Sequence, residues 1–241
     1  MKQLLVIASV LLSTLSSCHG IFGGEHIHGD GNIVSESRSV SEFKGVDVSG
    51  GLEVIVKQDS IASVKVEIDK NLQEYIITEV KDGVLEIYQE NNTSLESTKG
   101  IKIYVSNPTF KSFEATGATE IKGEGKISGT EEIHLHVTGA SKIDLDIKVP
   151  KVSGEISGAS TLKLTGETKD FIVDANGASQ AKCFDLMTEN VEAELSGASS
   201  ADVFASVKIS GTASGASHLS YKGNASTSFN TSGAGSIKKE N

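Results

Sequence analysis

A short tripeptide, Gly-Ala followed by Ser, Thr or Gly, returns along the second half of the chain at nearly constant spacing. Its glycines are Gly117, Gly139, Gly158, Gly177, Gly197, Gly215 and Gly233, separated by 22, 19, 19, 20, 18 and 18 residues. Self-similarity at such a period marks a repeat architecture, in which each unit buries its apolar face only against its neighbours. No other feature restricts the possible folds as much.

Alignment on the glycine resolves the repeats into columns. Two residues before it stand Ala115, Val137, Ile156, Ala175, Leu195, Ala213 and Thr231. Four residues after it stand Ile121, Ile143, Leu162, Ala181, Ala201, Leu219 and Ile237, and six after it come Gly123, Leu145, Leu164, Cys183, Val203 and Tyr221. The columns between are polar, so period-two alternation flanks each glycine, as in strands with one buried face. Each repeat reads as strand, tight turn, strand. Glycine supplies the positive φ that such a turn often needs, alanine adds little bulk, and the Ser or Thr can bond neighbouring backbone. A helical-hairpin repeat would need a 3.6-residue pattern, which is absent. The expected fold is therefore all-β, a β-solenoid.

The N-terminus carries a different signal. Lys2 is followed by an apolar run from Leu4 to Leu12 and then by Leu15-Ser16-Ser17-Cys18. The run is too short for a membrane-spanning helix and suits a secretory signal peptide. Its end resembles the lipobox of bacterial lipoproteins, in which the cysteine is acylated and becomes the first mature residue. Residues 1–17 are thus expected to be a signal peptide and Cys18 the lipid attachment site, leaving the membrane as a partner through that lipid. Cys183 then has no disulfide partner, and its column makes it a buried, inert thiol. Residues 18–31, rich in Gly and His, read as a flexible tether. His26 and His28 lie in it, but too few fixed ligands surround them for a metal site.

Residues 32–241 are expected to form one β-solenoid domain, in which 32–113, strand-rich without the short repeat, are an irregular N-terminal half that caps the Gly-Ala-Ser repeats of 114–241. The strands fall at Ile33 to Val40, Gly45 to Val48, Leu52 to Gln58, Val64 to Asp69, Val84 to Gln89 and Ile101 to Val105. Ser49-Gly50-Gly51 looks like an early copy of the turn, Asn71 to Ile76 like one helical turn, and Lys81-Asp82-Gly83 like a hairpin turn. Asn107-Pro108 breaks the pattern just before the repeats.

The run GNIVSESRSVSEFKGVDVSGGLEVIVKQ, then NLQEYIITEVKDGVLEIY, then serial SGAS turns behind a lipobox, resembles the DUF2807 family, the autotransporter adhesin head GIN domain common in Bacteroidetes. The resemblance covers about residues 31–241. It implies a right-handed parallel β-helix, pectin-lyase-like in shape but without those enzymes' catalytic residues, and a role in adhesion.

Composition narrows the function. The formal net charge is −10 and Arg38 is the single arginine, which argues against nucleic acid and against attraction to an anionic membrane surface. Three residues before each glycine stand Glu114, His136, Glu155, Asp174, Glu194, Thr212 and Asn230, and one before it stands a short hydroxyl or amide residue. Glu155, Asp174 and Glu194 form a candidate Ca²⁺ row, since stacked carboxylates relieve their repulsion by binding a cation with the neighbouring hydroxyls as further ligands. The competing reading, favoured by salt screening, is a solvated charged face partly balanced by Lys122, Lys163 and Lys182 across the turn. An enzyme acting on glycans would place Asp144 and Asp146, or Glu192 and Glu194, on one strand face. No arginine lies in the repeats, Phe113, Phe171 and Phe229 fall in inward columns, and His134, His136 and His218 point outward without an evident Ser or Cys partner. Phosphate-binding, nucleotide-binding and metalloprotease motifs are absent, and no cofactor is expected.

These readings describe a lipid-anchored, non-catalytic protein of the cell envelope, an outer-membrane lipoprotein on its periplasmic or surface side, that binds glycans or proteins. Two alternatives remain: a carbohydrate-active enzyme built on a β-helix, and a structural envelope component acting through a protein partner. The C-terminal SIKKEN, with Lys238 and Lys239, reads as a charged end that blunts the last strand.

Overall fold

The computed structural model describes residues 25–241. The expected signal peptide and Cys18 lie outside them. Nearly all the described strands belong to one mostly parallel β-solenoid, wound so that each coil contributes a strand before the glycine turn and a strand after it. The two sets of strands make a pre-turn face and a post-turn face.

On the pre-turn face the strands Val84–Gln89, Gly45–Ser49, Ser112–Thr116, Ile133–Val137, residues 152–156, residues 170–175, residues 190–195, Lys208–Ala213 and Ser226–Thr231 follow one another in parallel register. On the post-turn face the matching order is Lys102–Asn107, Glu53–Gln58, residues 120–123, residues 142–144, residues 161–163, Gln180–Cys183, Ser200–Phe204, His218–Lys222 and Ser236–Lys239. The repeats hold more than two strands, however. Residues 126–128, 146–148 and 166–168, with 186–188 beyond, pair as a third face. Lys142–Ile156 and Thr161–Ala175 are consequently single strands of 15 residues that run through all three faces.

The interior is one continuous core. Ala115, Val137, Ile156, Ala175, Leu195 and Ala213 are buried, as are Ile121, Ile143, Leu162, Ala181, Ala201 and Leu219, so the inward columns are those the alternation marks. Phe113 and Phe171 are buried too, whereas Phe229 on the last coil is 36% exposed. The third residue of the turn also points inward: Thr119, Ser141, Ser160, Ser179, Ser199 and Ser217 are all buried. Ser179, Ser199 and Ser217 donate to a carbonyl of the coil beside them, as Ser199 Oγ does to Ala175 O at 2.9 Å. Ser141 and Ser160 accept from the N–H of Thr119 and Ser141, and Thr119 donates to Thr116 O in its own coil, so no desolvated hydroxyl is stranded there.

The glycine is needed for two reasons, of which the sequence shows only one. Its φ is positive in every turn, from +66° at Gly233 to +92° at Gly117. In addition the turns stack directly on one another. Ala159 N–H donates to Gly139 O at 2.7 Å, Ala178 to Gly158 at 2.7 Å and Ala198 to Gly177 at 2.7 Å. A Cβ on Gly158 would lie 2.5 Å from Gly139 O, closer than real Cβ contacts come. Only a residue without a side chain lets one turn sit on the next.

The N-terminal half departs from a simple cap. Its strands Gly45–Ser49 and Glu53–Gln58 already form a regular coil, with Gly50 beneath Gly117, and Val84–Gln89 with Lys102–Asn107 form another below it. Regular parallel coils are therefore present within the half expected to be irregular. The parallel stack is closed by antiparallel strands. Ile76–Lys81 returns on Val84–Gln89 through the Asp82-Gly83 turn (φ +50° and +77°), and Ser63–Asp69 runs against Lys102–Asn107 with Ile33–Arg38 outside it. The expected helical turn is a 3-10 helix, Lys70–Tyr75.

Of the tether expected over residues 18–31, residues 18–24 lie outside the described residues, and part of the remainder is a strand. Glu25–His28 forms a parallel strand with Thr93–Glu96. The segment that follows is clamped by Asp69, a fully buried carboxylate that accepts hydrogen bonds from Gly31 N–H (2.9 Å), Ser97 Oγ (2.7 Å), Thr98 N–H (2.9 Å) and Thr98 Oγ1 (2.7 Å). Burial alone would raise its pKa, but these donors outweigh it and hold the group well below the ordinary carboxylate range. Arg38 serves the same region, donating to Gln73 O and Oε1 at 2.8 Å each.

Candidate functional site

The parallel register turns each outward column into a ladder with a rise of about 4.8 Å per coil. On the pre-turn face one ladder is almost wholly acidic: Glu79, Glu86, Asp47, Glu114, His136, Glu155, Asp174 and Glu194 are successive neighbours on eight strands, followed by Thr212 and Asn230. At that spacing two carboxylates repel by about 0.9 kcal/mol in bulk water and by roughly four times as much at the effective dielectric of a protein surface. Lys81 relieves the first two, with Nζ 2.7 Å from Glu79 and 2.8 Å from Glu86. Further along, His136 Nδ1 lies 3.4 Å from Glu155. Among the described residues Asp47, Glu114, Asp174 and Glu194 have no ion-pair partner.

The strain is visible at Asp47. Half-burial, then the Glu114 and Glu86 carboxylates on either side, push its pKa up to about 6, against the opposing pull of His136. A groove of about 210 Å³ opens over this part of the ladder, lined by Asp47, Glu114, His134, His136 and Glu155 with Ser112 and Ser153 between them.

Glu155, Asp174 and Glu194 are in direct register, as their column predicts. Even so, among the described residues no three His, Cys, Asp or Glu side chains converge closely enough to hold a metal ion. Of the lysines expected to balance the row, Lys122 and Lys182 make no ion pair among the described residues, and Lys163 turns to a carboxylate of its own face, where Lys142 does the same. Lys163 Nζ sits 3.1 Å from Asp144, and Lys142 Nζ 2.7 Å from Glu120 and 3.9 Å from Asp144. The post-turn face thus carries a ladder of mixed sign, Lys122, Asp144, Lys163, Lys182 and Asp202 in succession, in contrast to the almost wholly acidic ladder of the pre-turn face.

The other candidates separate in the same way. Asp144 and Asp146 do share a strand, but lysines hold both, Asp146 through Lys126 at 3.3 Å. Glu192 and Glu194 lie on the exposed pre-turn face. His218 has a serine partner that the sequence reading missed: its Nδ1 is 2.6 Å from Ser236 Oγ, one coil along, as the column register would have shown. His28 pairs with Glu96 at 2.8 Å. Cys183 is fully buried, and burial pushes its thiol up to about 12. The reading also passed over Phe184 and Phe204, half-exposed at adjacent positions seven residues after the glycine, where an outward column turns aromatic for two coils.

Comparison with known proteins agrees with this architecture. A family profile described as "Putative auto-transporter adhesin, head GIN domain" (DUF2807) matches residues 42–225. Among solved structures, a putative adhesin from Bacteroides fragilis is 20% identical, with a TM-score of 0.84 over 89% of this chain and 100% of its own. A putative lipid binding protein from Parabacteroides distasonis is 20% identical, with a TM-score of 0.74 over 90% of this chain and 100% of its own. A putative adhesin from Parabacteroides merdae is 16% identical, with a TM-score of 0.69 over 90% and 100%. No curated protein matches the chain.

Proposed function

The chain belongs to the DUF2807 family of auto-transporter adhesin head GIN domains, and on that premise we propose that it is a lipid-anchored, non-catalytic binding protein of the cell envelope. The lipobox-like Leu15-Ser16-Ser17-Cys18 supports the anchor and an outer-membrane location. A binding role is what the family and the adhesin and lipid-binding neighbours have in common.

The observation that carries the reading is the acidic ladder. From Asp47 to Glu194 it offers carboxylates in register over about 24 Å at strand spacing, flanked by short hydroxyl side chains. A protein or glycan with suitably spaced cationic groups or hydrogen-bond donors relieves the repulsion along it. Each contact is weak, and many copies on one membrane add up to avidity. Catalysis would need groups converging on one reacting atom, whereas the carboxylates here are either tied to lysines or spread along an axis.

The test is a binding screen of the protein against arrays of glycans and matrix proteins, with and without Ca²⁺, in which the glycans are also analysed for cleavage products. Retention of ligand without turnover is the expected result. Product formation would make the protein an enzyme and overturn the proposal.

A further inference from the structure

A second groove, of about 530 Å³, lies on the third face, away from the acidic ladder. Its floor is built from Thr168, Thr188 and Ser206, and its walls include Phe204, Met187 and Val149. Met187 is 43% exposed, and Val207, at the groove's edge beside Ser206, is 55% exposed. These are two of only four large hydrophobic side chains exposed among the described residues. Apolar surface gathered beside a cavity is more informative than the same residues scattered singly.

The rest of the lining restricts what can enter. Lys148 and Lys169 face Glu167 and Glu189, so the groove has no net charge, in contrast to the acidic ladder. Lys148 pairs with Glu167 at 3.1 Å, while among the described residues Lys169 and Glu189 make no ion pair and are free to bond a ligand. A peptide could not add as a strand, because the backbone of the floor is already paired. Ser206 N–H donates to Thr188 O at 3.0 Å and Val207 N–H to Glu189 O at 2.9 Å. The floor hydroxyls already donate to backbone carbonyls, Thr168 Oγ1 to Asp170 O, Thr188 Oγ1 to Phe204 O and Ser206 Oγ to Thr188 O. The polar demand on a ligand therefore comes from the rim, and an acyl chain would offer Lys169 and Glu189 nothing to bond. A neutral sugar matches both parts, its C–H face on Phe204 and Met187 and its hydroxyls on Lys169 and Glu189. The groove crosses four neighbouring strands, about 14 Å at strand spacing, roughly the length of a trisaccharide.

We infer that this groove is a saccharide-binding subsite for a short stretch of a neutral glycan, independent of the acidic ladder. Met1 and Met187 are the only methionines in the chain, so a ¹³C-methyl-methionine spectrum of the full chain reports directly on the groove wall. The experiment titrates neutral hexose and N-acetylhexosamine trisaccharides and follows the Met187 methyl signal. A saturable shift with at least one of them, weakened about tenfold or more by Phe204→Ala and unchanged by Glu155→Gln/Asp174→Asn/Glu194→Gln, is the expected result. If Phe204→Ala does not fold, the exposed pair Lys169→Ala/Glu189→Ala takes its place and must weaken binding in the same sense. No shift with any trisaccharide, a shift indifferent to the groove variants, or a shift produced only by a short fatty acid would overturn the inference. The acidic-face variant keeps this result separate from the proposal for that face.

Discussion

Replacing Gly158 by alanine separates the two demands that the stacked turns place on their glycine. Its φ is +74°, and an added Cβ would lie 2.5 Å from Gly139 O and 3.1 Å from Gly139 N. The left-handed conformation alone costs an alanine about 1–2 kcal/mol. The contact adds to this, because the coils must part by several tenths of an ångström at a place where Ala159 N–H bonds Gly139 O at 2.7 Å. Overpacking of that kind costs about 1–3 kcal/mol, and a weakened backbone hydrogen bond about another 1 kcal/mol. The expected loss is about 3–6 kcal/mol. Gly125 provides the control, since its φ is +80° but a Cβ there would meet nothing within 4 Å. Gly125→Ala should therefore show the conformational cost alone, about 1–2 kcal/mol. Urea unfolding followed by circular dichroism, with midpoints compared at equal m, measures both. Equal losses in the two variants would refute the claim that turn-on-turn contact, rather than φ, fixes these glycines.

Three further outcomes follow from buried or crowded groups. Asp47, with its pKa raised to about 6, binds its proton more tightly when folded than unfolded, so between about pH 4 and 6 its contribution makes stability fall as pH rises. Allowing for solvent screening of a half-exposed group the effect is about 1 kcal/mol, and Asp47→Asn should remove it from the pH dependence of the urea midpoint. Asp69→Asn turns an amide toward donors that now meet a carboxylate and should cost about 3 kcal/mol, with faster hydrogen exchange over residues 25–31 and 93–98. Unchanged exchange there would show that the clamp does not hold the N-terminal strand. Cys183, buried and with its pKa near 12, should resist iodoacetamide at pH 8 until the protein is unfolded, and early labelling would contradict its place in the core.

Much of the fold was legible in the columns because a parallel stack in register repeats one environment at each coil. Inward Ile143, Leu162 and Leu219, and the pairing of Glu155 with Asp174 and Glu194, could be read by counting from the glycine. Features that depend on contact between coils could not be read from one repeat alone. The close approach of Gly139 to Gly158 is such a case, whereas Asp144 with Lys163 and His218 with Ser236 are column neighbours that the same counting could have paired. The N-terminal half hid its two regular coils because Val84–Gln89 packs below Gly45–Ser49, although it follows it in sequence, which breaks the periodic spacing. The strand Glu25–His28 was disguised by a Gly- and His-rich composition, and its stability comes from Thr93–Glu96 and Asp69, far along the chain.

The most direct test of the acidic ladder as the binding face compares the wild-type protein with Glu155→Gln/Asp174→Asn/Glu194→Gln and with a control of equal size on the mixed-charge face, Glu120→Gln/Asp144→Asn/Asp202→Asn. Beads coated at matched density with each protein are scored for adherence to the ligand found in the screen. The account predicts that adherence falls steeply for the first variant and changes little for the second. Equal adherence of all three, or a loss confined to the second, would contradict it.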